Sequence, residues 1–174
     1  AAVLEADAYI LPEALPLELL YSSGAGAWGT ALTLERDGSF TGEYHDSEMG
    51  EQGEGYPHGT VYISSFSGRF SDIEQLDGST WSMTLASLTF DGEVGSEYIE
   101  DEIRCVVSAP AGLTEDETYI LRAPETPLEG LSGSLLSWWP DNWQREELGL
   151  DTLGRWCLEY VSDGSGFFEM KSGE

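Results

Sequence analysis

Alternating apolar and polar residues between positions 28 and 70 restrict this part of the chain to antiparallel β structure. The first run places every second residue on one face: Trp28, Thr30, Leu32 and Leu34. That period of two is typical of a strand with one buried side. Asp37-Gly38 follows and favours a type I′ turn, because both residues tolerate positive φ. Phe40, Gly42 and Tyr44 then form the apolar face of a returning strand, so the sequence predicts a hairpin.

Six further runs have the length and composition of strands, and turn residues separate most of them. They are Leu17 to Ser22, Thr60 to Ser71, Thr80 to Phe90, Thr118 to Arg122, Arg155 to Val161 and Phe167 to Lys171. Gly68 indicates a bend or a bulge in its strand. The apolar phase changes at Ala86 or Ser87, which predicts a β-bulge there. The segment Glu97 to Val107 fits a hairpin turning at Asp101-Glu102, which we favour over a single helical turn.

The number and order of these runs indicate a single all-β domain. It would comprise residues 17–174, after an N-terminal extension at residues 1–16 in which Pro12 and Pro16 disfavour a helix. Eight to ten antiparallel strands avoid open edges by closing into a barrel or by packing as two sheets. Consecutive hairpins favour an antiparallel up-and-down β-barrel, resembling the lipocalin or calycin architecture, over a Greek-key sandwich. A short helical or irregular segment is predicted near residues 128–143, because Gly130 and Gly133 weaken a helix there.

The charge of the chain excludes several classes of partner. It carries 7 basic and 33 acidic side chains among 174 residues, a net charge of −26. Such a charge repels phosphate backbones, which excludes nucleic acid, and also repels anionic membrane surfaces. No apolar run approaches the roughly 20 residues that a membrane-spanning helix needs, so we expect no transmembrane segment. We predict a monomer whose acidic side chains mainly solvate its surface.

The two cysteines are far apart in sequence and form no CxxC pair, so the sequence does not indicate a zinc cluster. The chain has two cysteines, Cys105 and Cys157, and two histidines, His45 and His58. A structural zinc site takes four such ligands close together. The two cysteines lie in strand-like surroundings, so we favour buried free thiols over a disulfide.

The most acidic loop offers a weak candidate for a metal site. It follows Tyr44 and contains four carboxylates, Asp46, Glu48, Glu51 and Glu54. Calcium takes six to eight oxygen ligands, which a flexible acidic loop can supply. The spacing is not that of an EF-hand, and acidic runs are usually solvated. We therefore favour a solvated loop, with calcium as the one cofactor that the sequence suggests.

A tryptophan-rich segment offers a second candidate site. Its residues with ligand-binding potential are Trp138, Trp139, Asn142 and Trp143. Aromatic rings stack on sugar faces while amides bind hydroxyl groups, so the segment could bind a glycan at the barrel rim. The alternative, which we favour, is a plug of mostly buried aromatic residues at one barrel end.

The interior of an eight-stranded barrel is either filled by side chains or holds one small ligand. The residues predicted to line it are Phe40, Tyr44, Tyr62, Phe66, Trp81 and Met83. A cavity would bind a small amphipathic molecule, whereas a filled interior would indicate a structural or interaction protein. A third alternative is a hydrolase that uses loop carboxylates near His45 and Tyr56. The sequence shows no nucleophile elbow, and we assign no catalytic residue.

Several short motifs resemble those of one protein family. They are GAGAWGT from residue 24, DGSFTG from residue 37, YHDSEMG from residue 44, GYPHGTVY from residue 55 and FSGRF from residue 66. In these motifs the chain is similar to a family of uncharacterised secreted proteins and lipoproteins of anaerobic Gram-positive bacteria. The resemblance implies an extracytoplasmic location, with lipid anchoring through a cysteine ahead of Ala1 in the precursor. It implies no activity, so we predict a non-catalytic barrel that binds a small amphipathic molecule or a glycan.

Overall fold

A computed structural model describes residues 9–22 and 27–170 of the chain. Its strands are β1 (Leu17–Tyr21), β2 (Trp28–Leu34), β3 (Ser39–Glu48), β4 (Thr60–Asp77), β5 (Thr80–Phe90), β6 (Glu97–Glu100), β7 (Ile103–Val107), β8 (Thr118–Arg122), β9 (Cys157–Tyr160) and β10 (Ser165–Glu169). Three short helical segments lie between β8 and β9: α1 (Gly133–Trp138), a 3₁₀ helix (Asn142–Gln144) and α2 (Arg145–Leu148). The start of the predicted N-terminal extension and Lys171 of the last predicted strand lie outside the described residues. The helices of the described part are too short and too polar to cross a lipid bilayer.

Eight strands close into an antiparallel barrel, as predicted. Their order around the barrel is β1, β2, β3, β4, β5, β8, β9 and β10, and β10 pairs with β1 to complete the circle. The hairpin of β6 and β7 lies outside this circle. It joins the sheet through β7, which runs parallel to the first residues of β4 and places Ile63 opposite Val107. The long strand β4 therefore belongs both to the barrel and to a four-stranded extension, β3-β4-β7-β6.

Local sequence chemistry sets the tight turns. Gly38 has a φ of 92° between β2 and β3, but Asp37 does not have a positive φ, so the predicted type I′ turn is wrong; the Gly38 N–H instead donates to the Glu35 carbonyl at 3.0 Å. The Asp37 carboxylate accepts hydrogen bonds from the Ser39 backbone N–H at 2.9 Å and from its hydroxyl at 2.6 Å. These bonds stabilise the charged form and lower the pKa of Asp37. The predicted turn between β6 and β7 also forms, with Asp101 at φ 52° and Glu102 at φ 64°.

The predicted β-bulge in β5 is confirmed, whereas β4 pairs with β3 without a register shift at Gly68. Arg69 lies opposite Ser87 and Phe70 lies opposite Leu85, so Ala86 is an extra residue and forms the predicted bulge. It changes the inward phase of β5 from Leu85 to Leu88, which packs partly buried against the core.

Two glycines give room to phenylalanine rings across the β3-β4 pair. Gly68 lies opposite Phe40, and Gly42 lies opposite Phe66. A Cβ atom at Gly42 would come within 2.6 Å of the Phe66 ring, and one at Gly68 would overlap the Phe40 ring. The two rings are 6.2 Å apart, edge to face. Glycine therefore allows each aromatic ring to lie directly on the neighbouring backbone.

Connecting segments cover both ends of the barrel. At one end, Leu11 and Leu15 are buried in the core, and the Trp81 indole N–H donates to the Ile10 carbonyl at 3.1 Å. At the other end, the Tyr119 hydroxyl donates to the Gly112 carbonyl at 2.8 Å. Residues 10–15, within the predicted N-terminal extension, thus pack directly onto the barrel.

A second, smaller core lies outside the barrel wall. It comprises Leu128, Leu135, Trp139, Leu153, Cys157 and Phe168. Helix α1 begins after Ser132, whose hydroxyl accepts from the Leu135 N–H at 3.1 Å, and packs on β10. The segment predicted near residues 128–143 is therefore partly helical and partly irregular.

One ion pair fixes the segment that carries this second core. The Arg155 side chain is only 2% exposed, and its Nε and Nη2 atoms each bind an Asp141 carboxylate oxygen at 2.9 Å. Its Nη1 atom also donates to the Glu169 carbonyl of β10 at 2.8 Å. A single buried guanidinium therefore connects the 3₁₀ region, the start of β9 and the end of β10.

Candidate functional site

The residues predicted to line an internal cavity are mostly core residues. Phe40, Phe66, Trp81 and Met83 are each at most 5% exposed and belong to one hydrophobic cluster. Tyr44 is only partly buried, against the edge of this cluster. Tyr62 lies apart from the other five, and its hydroxyl donates to the Glu51 carboxylate at 2.7 Å. The structure thus brings four of the six together as packing partners.

The predicted calcium-binding carboxylates are dispersed. Asp46 and Glu48 belong to β3, which continues further than the sequence pattern indicated. Glu51 instead binds Arg104 at 3.0 Å, and Glu54 is exposed. Within residues 9–22 and 27–170, no three His, Cys, Asp or Glu side chains are grouped so as to hold a metal ion. Calcium binding stays a prediction.

Arg104 organises the loop between β3 and β4. Besides Glu51, its guanidinium lies 5.1 Å from the centre of the Tyr56 ring and 3.7 Å from the Glu97 carboxylate. His58 in the same loop lies 2.8 Å from the Glu102 carboxylate in the β6-β7 turn. The acidic loop is therefore attached to the β6-β7 hairpin at two points, despite its lack of sequence periodicity.

The tryptophan-rich segment divides into buried and exposed parts. Trp138 stacks on Tyr21 with ring centres 4.7 Å apart. Trp139 is buried, and its indole N–H donates to the Leu153 carbonyl at 3.0 Å. Trp143, by contrast, is 80% exposed, next to the exposed Asn142. Two of the predicted rim tryptophans are thus packing residues, and one faces solvent.

A groove on the outer wall brings together residues of a different kind. It has a volume of about 430 Å³ and lies where β3 and β4 meet the β6-β7 hairpin. Its lining residues are Glu43, Tyr44, His45, Ile63, Ser64, Ser65, Asp91, Tyr98 and Val107. Strand pairing explains their proximity, because Ile63 lies opposite His45 on one side and opposite Val107 on the other. We call this the outer groove.

The outer groove combines an apolar floor with acidic sides. Ile63 and Val107 are half-buried, and Tyr98 is exposed beside them. Glu43 and Asp91 supply carboxylates, and the described lining residues include neither lysine nor arginine. Ser64 has a buried hydroxyl with no hydrogen-bond partner within the described chain, but it alternates with Ile63 along β4 and lies opposite Tyr44, on the face that packs toward the barrel core.

Sequence reasoning missed the outer groove because its walls come from distant parts of the chain. The parallel pairing of β7 with β4 brings Val107 beside Ile63, and no local pattern predicts that pairing. One signal was present: Val61 and Ile63 are apolar at positions that alternate away from the barrel interior. An apolar outward face indicates that something covers it.

The cysteines are free thiols and lie on different strands. Cys105 is in β7, and Cys157 is in β9 within the second core. Complete burial, with a smaller contribution from the Glu159 carboxylate, strongly raises the pKa of the Cys157 thiol.

We expect the Cys157 thiol to be inert in the folded protein. A raised pKa removes the nucleophilic thiolate, and burial excludes the reagent. Iodoacetamide labelling at pH 8, followed by peptide mapping, should modify Cys157 about 100-fold more slowly in native protein than in urea, since reaction requires opening of the second core. Equal rates in both conditions would contradict the buried position of this side chain.

Comparison with known proteins adds no relative: no family model matches the chain, and neither a curated protein nor a solved structure matches it.

Proposed function

We propose that this chain is an extracytoplasmic, non-catalytic binding protein, and that the outer groove holds a small amphipathic molecule with a positively charged group. The observation that carries the proposal is the pairing of an apolar floor, Ile63 and Val107, with the carboxylates of Glu43 and Asp91 in one groove. The barrel interior supports it indirectly, because four of the six residues predicted to line a cavity pack in one hydrophobic cluster.

The chemistry of the groove selects ligands with two features. Covering a floor of this kind with one branched aliphatic group contributes about 2 kcal/mol. A cation beside a half-exposed carboxylate contributes about 0.2 to 1 kcal/mol and is weakened by salt. The net charge of −26 adds long-range attraction for cations and raises their association rate. Ligands with both an apolar body and a cationic group are therefore favoured over ligands with one of these.

The location of the protein is part of the same proposal. The resemblance of the motifs between residues 24 and 70 supports a secreted or cell-surface lipoprotein. A monomer is proposed separately from this resemblance. A glycan at Trp143 is a weaker candidate ligand, because only one of the three rim tryptophans is exposed.

A binding titration with a matched variant tests the proposal. The probe is a dansyl-labelled dodecylamine that keeps a free ammonium group, and its anionic counterpart is a dansyl-labelled dodecanoic acid. Ile63→Asn should weaken binding of the cationic probe at least tenfold, because it removes the centre of the floor. Leu76→Asn makes the same kind of change on β4 at an exposed residue outside the groove, and should leave binding unchanged. Equal binding by both variants, or equal binding of both probes, would contradict the proposal.

A hydrolase is the second candidate, because His45, Ser65 and Asp91 line the same groove. These residue types can form a nucleophile, a base and an orienting acid. Within the described residues, however, neither a hydrogen bond nor an ion pair joins these three side chains. Hydrolysis of p-nitrophenyl acetate that exceeds the buffer rate and is lost in His45→Ala would replace the binding proposal by the catalytic one.

A further inference from the structure

A second depression adjoins the outer groove on the outer wall of the barrel. It has a volume of about 400 Å³, crosses β1, β2 and β3 and shares Glu43 and Ser65 with the outer groove. Its other lining residues include Glu18, Ala31, Thr33, Thr41 and Met170. The two depressions are therefore adjacent; we call the pair the trough, and Glu18 and Tyr98 lie at its two ends.

The trough runs across the strands. Cross-strand pairs define its path: Glu18 lies opposite Thr33, Thr33 opposite Thr41, and Glu43 opposite Ser65. From there it passes Ile63 and Val107 to reach β6. Six neighbouring strands at their usual spacing span about 24 Å, which matches an extended peptide of about seven residues. A ligand that fills the whole trough is therefore a chain rather than a compact small molecule.

The charge of the trough is of one sign. Glu18, Glu43 and Asp91 are exposed and lie at intervals along it, and none of them is in an ion pair with another described residue. The described lining residues carry no lysine or arginine. An occupant with several positive charges would neutralise these carboxylates, and the net charge of −26 would attract it.

The part of the trough between Glu18 and the outer groove favours a peptide over other polycations. Its lining there consists of short side chains, Ala31, Thr33, Thr41 and Ser65, which permit close approach of a backbone. The hydroxyl groups of the threonines and serine offer hydrogen bonds to peptide groups. Side chains of an extended chain alternate, so one set would face the carboxylates and the apolar floor.

From these observations we infer that the trough binds an extended segment of a partner protein in which lysine or arginine alternates with small apolar residues. The inference rests on the proposed function, because the outer groove forms one end of the trough. It adds the class of the ligand and a second set of contacts at β1 and β2.

Two probes of different length test the inference. The long probe is a fluorescein-labelled heptapeptide of alternating lysine and valine, and the short probe is the dansyl-labelled dodecylamine. Thr33→Arg places a cation in the trough far from the outer groove. This change should weaken binding of the heptapeptide at least tenfold and should change binding of the short probe by less than twofold. Thr118→Arg, on the exposed face of β8 and outside the trough, is the matched control and should change neither.

Each outcome distinguishes the inference from the proposed function. Heptapeptide binding that is unaffected by Thr33→Arg, with the short probe still bound, overturns the trough and leaves the outer groove. If neither probe binds to the unmodified protein, both the inference and the proposed function are overturned. Equally tight binding of a heptapeptide of alternating glutamate and valine also overturns the inference. So does a neutral oligosaccharide that displaces the lysine-valine heptapeptide from the end of the trough that contains Thr33. An affinity for the lysine-valine heptapeptide that falls at least threefold in 0.5 M salt would support the inference, because salt screens the attraction between exposed charges.

Discussion

Substitution of Gly68 by alanine is expected to destabilise the barrel by about 3 kcal/mol, the upper part of the range for overpacked cores. The added methyl group would overlap the Phe40 ring and the carbonyl oxygen of Ser87. The ring is buried, and the carbonyl belongs to the β4-β5 ladder, so neither moves without cost. For a chain of this size the loss corresponds to a fall in melting temperature of about 6–12 °C.

Thermal and urea unfolding of matched variants measure this effect. Gly78→Ala is the control, because a Cβ atom there would meet no heavy atom within 4 Å. Its stability should stay within about 0.5 kcal/mol of the parent. In a double-mutant cycle, Phe40→Leu should recover at least about 1 kcal/mol of the loss, since it shortens the overlapping ring. Additive effects of the two changes would show that the ring overlap is not the cause.

Replacement of Arg155 by methionine is expected to cost about 3–5 kcal/mol, the usual penalty for breaking a buried ion pair. The change keeps most of the apolar length of the side chain but leaves Asp141 without its bidentate partner. It also removes the hydrogen bond to the Glu169 carbonyl, which ties the segment to β10. The second core, which includes Trp139, should loosen with it.

Arg69→Met provides a matched control for this experiment. Arg69 lies 3.6 Å from Asp37, but both side chains of that pair are about half exposed. Exposed pairs contribute about 0.2–1 kcal/mol, so this variant should be almost as stable as the parent. The double variant Arg155→Met with Asp141→Leu should regain most of the lost stability, because no unpaired charge remains buried. A double variant as unstable as Arg155→Met would contradict the electrostatic explanation.

Local chemistry made the barrel largely predictable. Asp37-Gly38 and Asp101-Glu102 specify turns, and the phase change at Ala86 specifies a bulge, because each effect acts between neighbours in sequence. The length of β3 was less predictable. Asp46 and Glu48 are poor strand formers by propensity, yet pairing with β2 and β4 keeps the chain extended to Glu48.

The candidate site was less accessible to sequence reasoning, since it depends on contacts between distant residues. The six predicted cavity residues had the right alternation, but alternation cannot show whether inward side chains meet or leave a space. The outer groove requires the parallel pairing of β7 with β4, which places Val107 beside Ile63. Similarly, Trp138 and Trp143 look alike in sequence, but contacts with Tyr21 and Trp28 make Trp138 half-buried, whereas Trp143 is exposed.

The pairing of β1 with β10 makes closure of the barrel depend on the order of synthesis. Leu19 lies opposite Glu169, so the first strand meets its second neighbour only when the tenth strand has left the ribosome. Until then one edge of β1 presents free backbone groups to other chains. A nascent or truncated chain is therefore exposed to edge-to-edge association throughout its elongation, and the finished barrel is protected from it by its last strand.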